Sequence, residues 1–139
     1  MAPRKHSVAV VVRDDAGAFL AVKRPDDPSD PLAGVWGLPA VTLEEGETEP
    51  DAAARVGRVK LGVSLEVGAK IGTKTADRGA YVLTLTDYSA TVVSGTVTVP
   101  QPDTTMTQYA EARFTTDPGI LAEAAGKGSL CAQIYLESA

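Results

Sequence analysis

Strand-like and helix-like stretches in this chain are segregated rather than alternated, and that order restricts its architecture more than any single residue does. Val8 to Val12 is a β-branched, apolar run, Asp14-Asp15-Ala16-Gly17 offers turn chemistry, and Phe19 to Lys23 resumes strand-like composition. A β-hairpin is expected there. After a Pro-rich loop and Trp36, Thr48 supplies an N-cap, Pro50 a first-turn proline and Asp51 an acid at the third helical position. The helix they begin is expected to run to about Leu61, where Gly62 supplies a left-handed stop, and Gly57 inside it costs about 1 kcal/mol against alanine. Ala80–Tyr88, Ala90–Val93, Thr96–Val99 and Glu111–Phe114 read as further strands. Asp117 can cap a helix from Pro118, and Ser129 another in which Leu130, Cys131, Ile134 and Tyr135 share a face. A hairpin, a helix, several strands and terminal helices together imply an α/β (α+β) fold, a mixed sheet covered by helices on both faces.

A length of 139 residues, 44% hydrophobic, suits one domain across 1–139 and leaves no room for a second. The formal charge of −5 argues against nucleic acid and anionic membrane as partners, since like charges repel, while a small basic pocket is still allowed. Cys131 is the only cysteine, which excludes an intramolecular disulfide, and no membrane-length apolar run lies near Met1, so a cytoplasmic location is expected. His6 has no partner at ligand spacing and reads as exposed surface, and Cys131 reads as core. There is no G-x-S-x-G, no P-loop and no paired Cys/His zinc spacing.

Gly37 to Val63 resembles the Nudix box, G-x5-E-x7-R-E-U-x-E-E-x-G-U with U apolar, of the Nudix (MutT-like) superfamily. Gly46-Glu47, Arg55 and Gly62-Val63 stand at the matching spacings. Around them Trp36-Gly37-Leu38-Pro39 resembles the lead-in to the box, Val22-Lys23-Arg24 the end of the early strand, and Glu111-Ala112-Arg113-Phe114 the late strand. Val41 stands at the first glycine, and Val56, Val59 and Lys60 stand at the three glutamates after the arginine.

The resemblance implies a Nudix-like α/β/α sandwich and Mg²⁺-dependent pyrophosphohydrolysis of nucleoside diphosphate-X or nucleoside triphosphate substrates. On an α-helix, positions 56, 59 and 60 share a face, and in the family that face gathers carboxylates around the metal. Two valines and a lysine offer no oxygen ligands, and an ammonium at 60 would repel a nearby Mg²⁺ by several kcal/mol at an effective dielectric of about 20. Activity is therefore expected to be weak or atypical, with Mg²⁺ the cofactor if the protein is hydrolytic, no other cofactor implied, and no metal-ligating set to assign. The alternative is a non-hydrolytic module that binds a nucleotide-like or partly apolar ligand without metal, or that acts through a protein interface such as a homodimer.

By resemblance Glu47 and Arg55 are the catalytic candidates, and by residue type they are an ion pair tying loop to helix. Arg24, Trp36, Lys60 and Glu111 are the ligand-binding candidates: a guanidinium and an ammonium for phosphate, an indole to stack on a base, and a late acid near the cleft or bonding the box loop. Glu44 and Glu45 are candidates for relocated metal ligands, or simply solvated acids beside a turn. Ligand specificity is expected in the Arg24–Gly34 loop.

Overall fold

A computed structural model describes residues 3–102 and 108–138. Its strands are β1 (Arg4–Arg13), β2 (Phe19–Lys23), β3 (Trp36–Gly37), β4 (Ala40–Thr42), β5 (Ser64–Asp77), β6 (Val82–Ser94) and β7 (Glu111–Thr115). The helices are α1 (Glu49–Val56), continued by a π-turn over Gly57–Leu61, then a 3₁₀ turn over Pro118–Leu121, α2 (Ala122–Gly126) and α3 (Leu130–Ser138).

The sheet is mixed, in the order β3-β2-β1-β6-β5, with β4 also pairing β1 and β7 also pairing β2. β6 lies parallel to β1 from Arg4↔Val82 to Arg13↔Thr91, and the other pairings are antiparallel. β1 explains why the valine run is apolar at every position. Val8, Val10 and Val12 join the cluster of Ala52, Ala53, Val56 and Leu61 beneath α1, while Ala9 and Val11 join Leu121, Ala124, Leu130 and Ile134 on the opposite face. A strand buried on both faces has no use for polar alternation. The expected mixed α/β fold with helices on both faces is the fold observed.

The helix start is also as expected. Thr48 Oγ1 accepts from the Asp51 amide at 3.2 Å, and Gly62 ends the segment at φ 73°. Gly57 is there for space rather than flexibility: a Cβ on it would come within 2.7 Å of Leu65 Cγ and 2.8 Å of the Val63 carbonyl.

Three parts of the sheet differ from expectation. β5, fourteen residues long, has no counterpart among the strands expected from sequence, because its glycines and lysines at an exposed edge dilute the strand signal; register shifts break its pairing near Lys70. Ala80–Tyr88 and Ala90–Val93 are not two strands but one, β6, because the intervening Ser89 stays in the ladder opposite Val11. Thr96–Val99 is not a strand: Val97 and Val99 cover the core beside α1, and the Thr98 amide goes to the Leu61 carbonyl at 2.9 Å, a loop bond. Among the described residues, no helix is long and apolar enough to cross a membrane.

Candidate functional site

The box loop is tied to its helix by charge. Arg55 is buried, and its guanidinium donates to both Glu47 carboxylate oxygens at 2.9 and 3.1 Å and to the Thr42 carbonyl at 2.8 Å, with Glu44 at 3.3 Å. Hydrogen bonding from Arg55 holds the Glu47 carboxyl below its usual range, and the same bond raises Arg55 further. Glu47 Oε1 also accepts from the Glu44 amide, so one carboxylate fixes both ends of the loop. The structure thus brings the two catalytic candidates together as an ion pair.

The residues after Arg55 divide between core and cleft. Val56 has 0% exposure inside the α1 cluster, and Val59 packs against the same cluster. Lys60 is only 6% exposed, with its Nζ 5.4 Å from the centre of the Tyr109 ring. A π-turn starting directly after Val56 alters the angular spacing expected of a straight α-helix.

A cleft of about 660 Å³ is lined both by residues of the sheet face that carries α3, such as Leu85 and Cys131, and by Val41, Arg55 and Lys60 from the side of the box helix. Ala40, Leu85, Leu38 and Cys131 form an apolar floor beside the Ser7 hydroxyl, Tyr81 and Tyr109 contribute aromatic faces, and Arg24, Arg55, Lys60, Lys5, Arg78 and Lys127 bring six cations against Asp30 and Glu44. Such walls suit a molecule with an anionic part and a flat, apolar part. Among the described residues, no group of three or more His, Cys, Asp or Glu side chains could hold a metal ion.

Of the ligand-binding candidates, Arg24 and Lys60 line this cleft, and so does the Asp30–Leu32 part of the Arg24–Gly34 loop. Arg24 is anchored to Asp30 at 2.7 Å. Trp36 instead lines a small adjoining hollow, with the Arg113 guanidinium 4.9 Å from its ring. Glu111 lies outside the cleft lining and pairs with Lys23 at 3.3 Å. Glu45 is exposed and also outside the lining.

Sequence reading missed Lys5, Tyr81, Arg78 and Tyr109, which reach the cleft from β1, the β5–β6 turn and the loop before β7. It also missed a polar knot on the opposite face. Glu49 accepts from Thr86 Oγ1 at 2.9 Å and Tyr88 Oη at 3.0 Å, lies 2.6 Å from His6 Nε2, and has Lys70 at 3.4 Å. His6 is therefore a partnered residue rather than idle surface. Burial raises the Glu49 carboxyl, but the hydrogen bonds from Thr86, Tyr88 and His6 and the Lys70 charge outweigh it and bring the pKa to about 2.

With this fold and cleft in view, the relationship to known proteins is direct. A profile of the NUDIX domain matches residues 3–114, and the chain belongs to the Nudix family. A NUDIX hydrolase from Nitrosomonas europaea superposes with a TM-score of 0.73 at 22% identity, covering 97% of this chain and 87% of that one. An ADP-ribose pyrophosphatase from Streptococcus suis superposes at 0.64 with 16% identity, covering 96% and 90%. In sequence, the low-salt glycan biosynthesis protein Agl8 of Haloferax volcanii is 33% identical over 67 residues, a match spanning 48% of this chain and 40% of that protein's length. These solved structures share the fold.

Proposed function

We propose that the chain binds a nucleotide-like diphosphate in the cleft, with Arg24, Arg55 and Lys60 meeting the phosphates and no metal ion held by the box helix. The observation that carries this is Lys60, whose ammonium sits on the cleft wall at the last turn of that helix. The family's divalent cation does not fit here. Val56 is sealed in the core, Val59 packs on it, and Lys60 adds positive charge where carboxylates would be needed. An ammonium and a guanidinium can meet phosphate oxygens directly with charge-assisted hydrogen bonds, replacing part of what a metal would neutralise. The apolar floor suits the uncharged part of the ligand.

Hydrolysis of a nucleoside diphosphate-X or a nucleoside triphosphate is then weak or atypical. A second reading, an active pyrophosphohydrolase using relocated carboxylates, is favoured by family membership and by Glu44, an exposed carboxylate on the cleft wall. Against it, Glu44 and Glu47 both serve Arg55, and Glu111 serves Lys23.

Calorimetric titration of ADP-ribose and inorganic pyrophosphate, with and without Mg²⁺, together with phosphate release, tests both. Binding independent of Mg²⁺, weakened about tenfold in Lys60→Ala, is expected for the loss of one charge-assisted contact. Unchanged affinity in Lys60→Ala would remove the proposed phosphate site. Mg²⁺-dependent turnover abolished by Glu44→Gln would establish the second reading instead.

A further inference from the structure

Behind the cleft floor, one buried acid lacks the partner that its burial calls for. Asp87 on β6 is 0% exposed, and neither of its carboxylate oxygens has a hydrogen-bond partner among the described residues. Buried polar groups are nearly always paired, and an orphan lowers stability, so its presence in the core calls for a cause outside the fold.

The sheet register shows what surrounds it. Across the sheet run Gly72, Asp87, Ala9 and Ala40, residues on one face and in one row, so the carboxyl's lateral neighbours carry at most a methyl group. The next row on that face includes Leu85, Ser7 and Thr42, and these three, like Ala40, line the cleft. On the β5 side the space is closed, because a Cβ at Gly72 would come within 3.0 Å of Ile134 Cγ2. Along the row, Ala9 stands between Asp87 and the cleft-lining Ala40. From α3 comes Cys131, another cleft-lining residue, whose thiol is pushed up by burial and then by the Asp87 charge, a sign that the two groups are near each other. Burial likewise raises Asp87, to about 8, so the group is mostly a neutral acid near neutral pH.

A neutral carboxyl both donates and accepts one hydrogen bond. Its complement is a flat edge with an adjacent donor and acceptor, the amidine or lactam edge of a heterocyclic base. We propose that Asp87, buried behind the cleft lining rather than in it, is the recognition group for the ligand's base, pairing with such an edge after the small Cys131 side chain turns aside. This inference rests on the nucleotide reading given above. It accounts for the alanines between the carboxyl and the cleft, Ala9 and Ala40, whose side chains are single methyl groups, and for a buried acid that packing alone would replace with leucine.

The test compares binding of ADP, GDP, CDP and UDP with inorganic pyrophosphate, which offers the phosphates without a base, in the wild type, Asp87→Asn and Asp87→Leu. At least one nucleotide is expected to lose about tenfold in affinity in Asp87→Leu while pyrophosphate is unaffected, with Asp87→Asn, which keeps one donor and one acceptor, retaining most of the binding. Melting temperatures accompany each variant: Asp87→Leu should melt higher than wild type, and if it does not fold, Asp87→Ala takes its place. Nucleotide affinities that are unchanged without the carboxyl would overturn this role and leave the cleft's nucleotide reading intact. Failure of the wild type to bind either the nucleotides or pyrophosphate would overturn both.

Discussion

Two carboxyl groups on opposite faces of the sheet are pushed in opposite directions, and the stability of the protein should record it. Glu49, gathered by Thr86, Tyr88, His6 and Lys70, is lowered to about 2, and Asp87, alone in an apolar layer, is raised to about 8. Between about 2 and the ordinary glutamate value near 4.5, the unfolded chain binds the Glu49 proton and the folded chain does not, so stability rises with pH. For Asp87 the folded chain keeps the proton that the unfolded chain loses, so stability falls as pH rises from about 3.8 to about 8. Urea unfolding across pH 2 to 9 should therefore show a maximum in the mildly acidic range. Glu49→Gln should flatten the acid limb and cost about 2 kcal/mol at pH 7, the scale of hydrogen bonds to a charged group. Asp87→Leu should flatten the alkaline limb. A profile unaltered by either change would mean that the two groups titrate alike in the folded and unfolded chain. Neither role was legible from sequence: an acid in the first helical turn and an acid inside a strand both read as surface, and only the register that sets Thr86 and Tyr88 beside Glu49, and buries Asp87 between Ala9 and Gly72, tells them apart.

At the scale of elements, the box helix was legible because its signals are local. The Thr48 cap, Pro50 and the Gly62 stop act within a few residues of themselves, and all three do what their chemistry dictates. β5 was not legible, since its strand character comes from pairing with β6 rather than from its own composition. Gly57 shows the same limit. From sequence it is a helix-weakening residue, and Gly57→Ala should gain about 1 kcal/mol of helix propensity. In the fold, the added methyl would meet Leu65 and the backbone carbonyl of Val63 at under 3.0 Å. The carbonyl cannot move without its turn, and overpacking of this kind typically costs about 1–3 kcal/mol. Packing wins, so Gly57→Ala should lower the urea midpoint, and a raised midpoint would show that β5 yields at Leu65.

For the whole molecule, a formal charge of −5 coexists with a cleft in which six basic side chains face two acidic ones. Net charge is read from composition, but its placement is not; Lys5, Arg78 and Lys127 come together only when β1, the β5–β6 turn and the α2–α3 turn meet at one mouth. A small anion and a long one experience this distribution differently. A nucleotide-sized ligand would lie within the cleft's positive field, which low-dielectric walls strengthen, whereas a polynucleotide would also have to cross the negative surface around it. Screening acts over about 10 Å at 0.1 M salt, so attraction to the outer, solvent-facing cations should fade with ionic strength while contacts to buried Lys60 and Arg55 persist. Stopped-flow binding of ADP-ribose should then show an association rate that drops several-fold between about 20 and 300 mM NaCl, with a smaller change in dissociation. Duplex DNA should bind weakly, if at all, at either salt concentration. Association that ignores salt would mean that the cleft cations are neutralised by their own partners, Asp30 and Glu44 first, and that recognition rests on the apolar floor and on Asp87 alone.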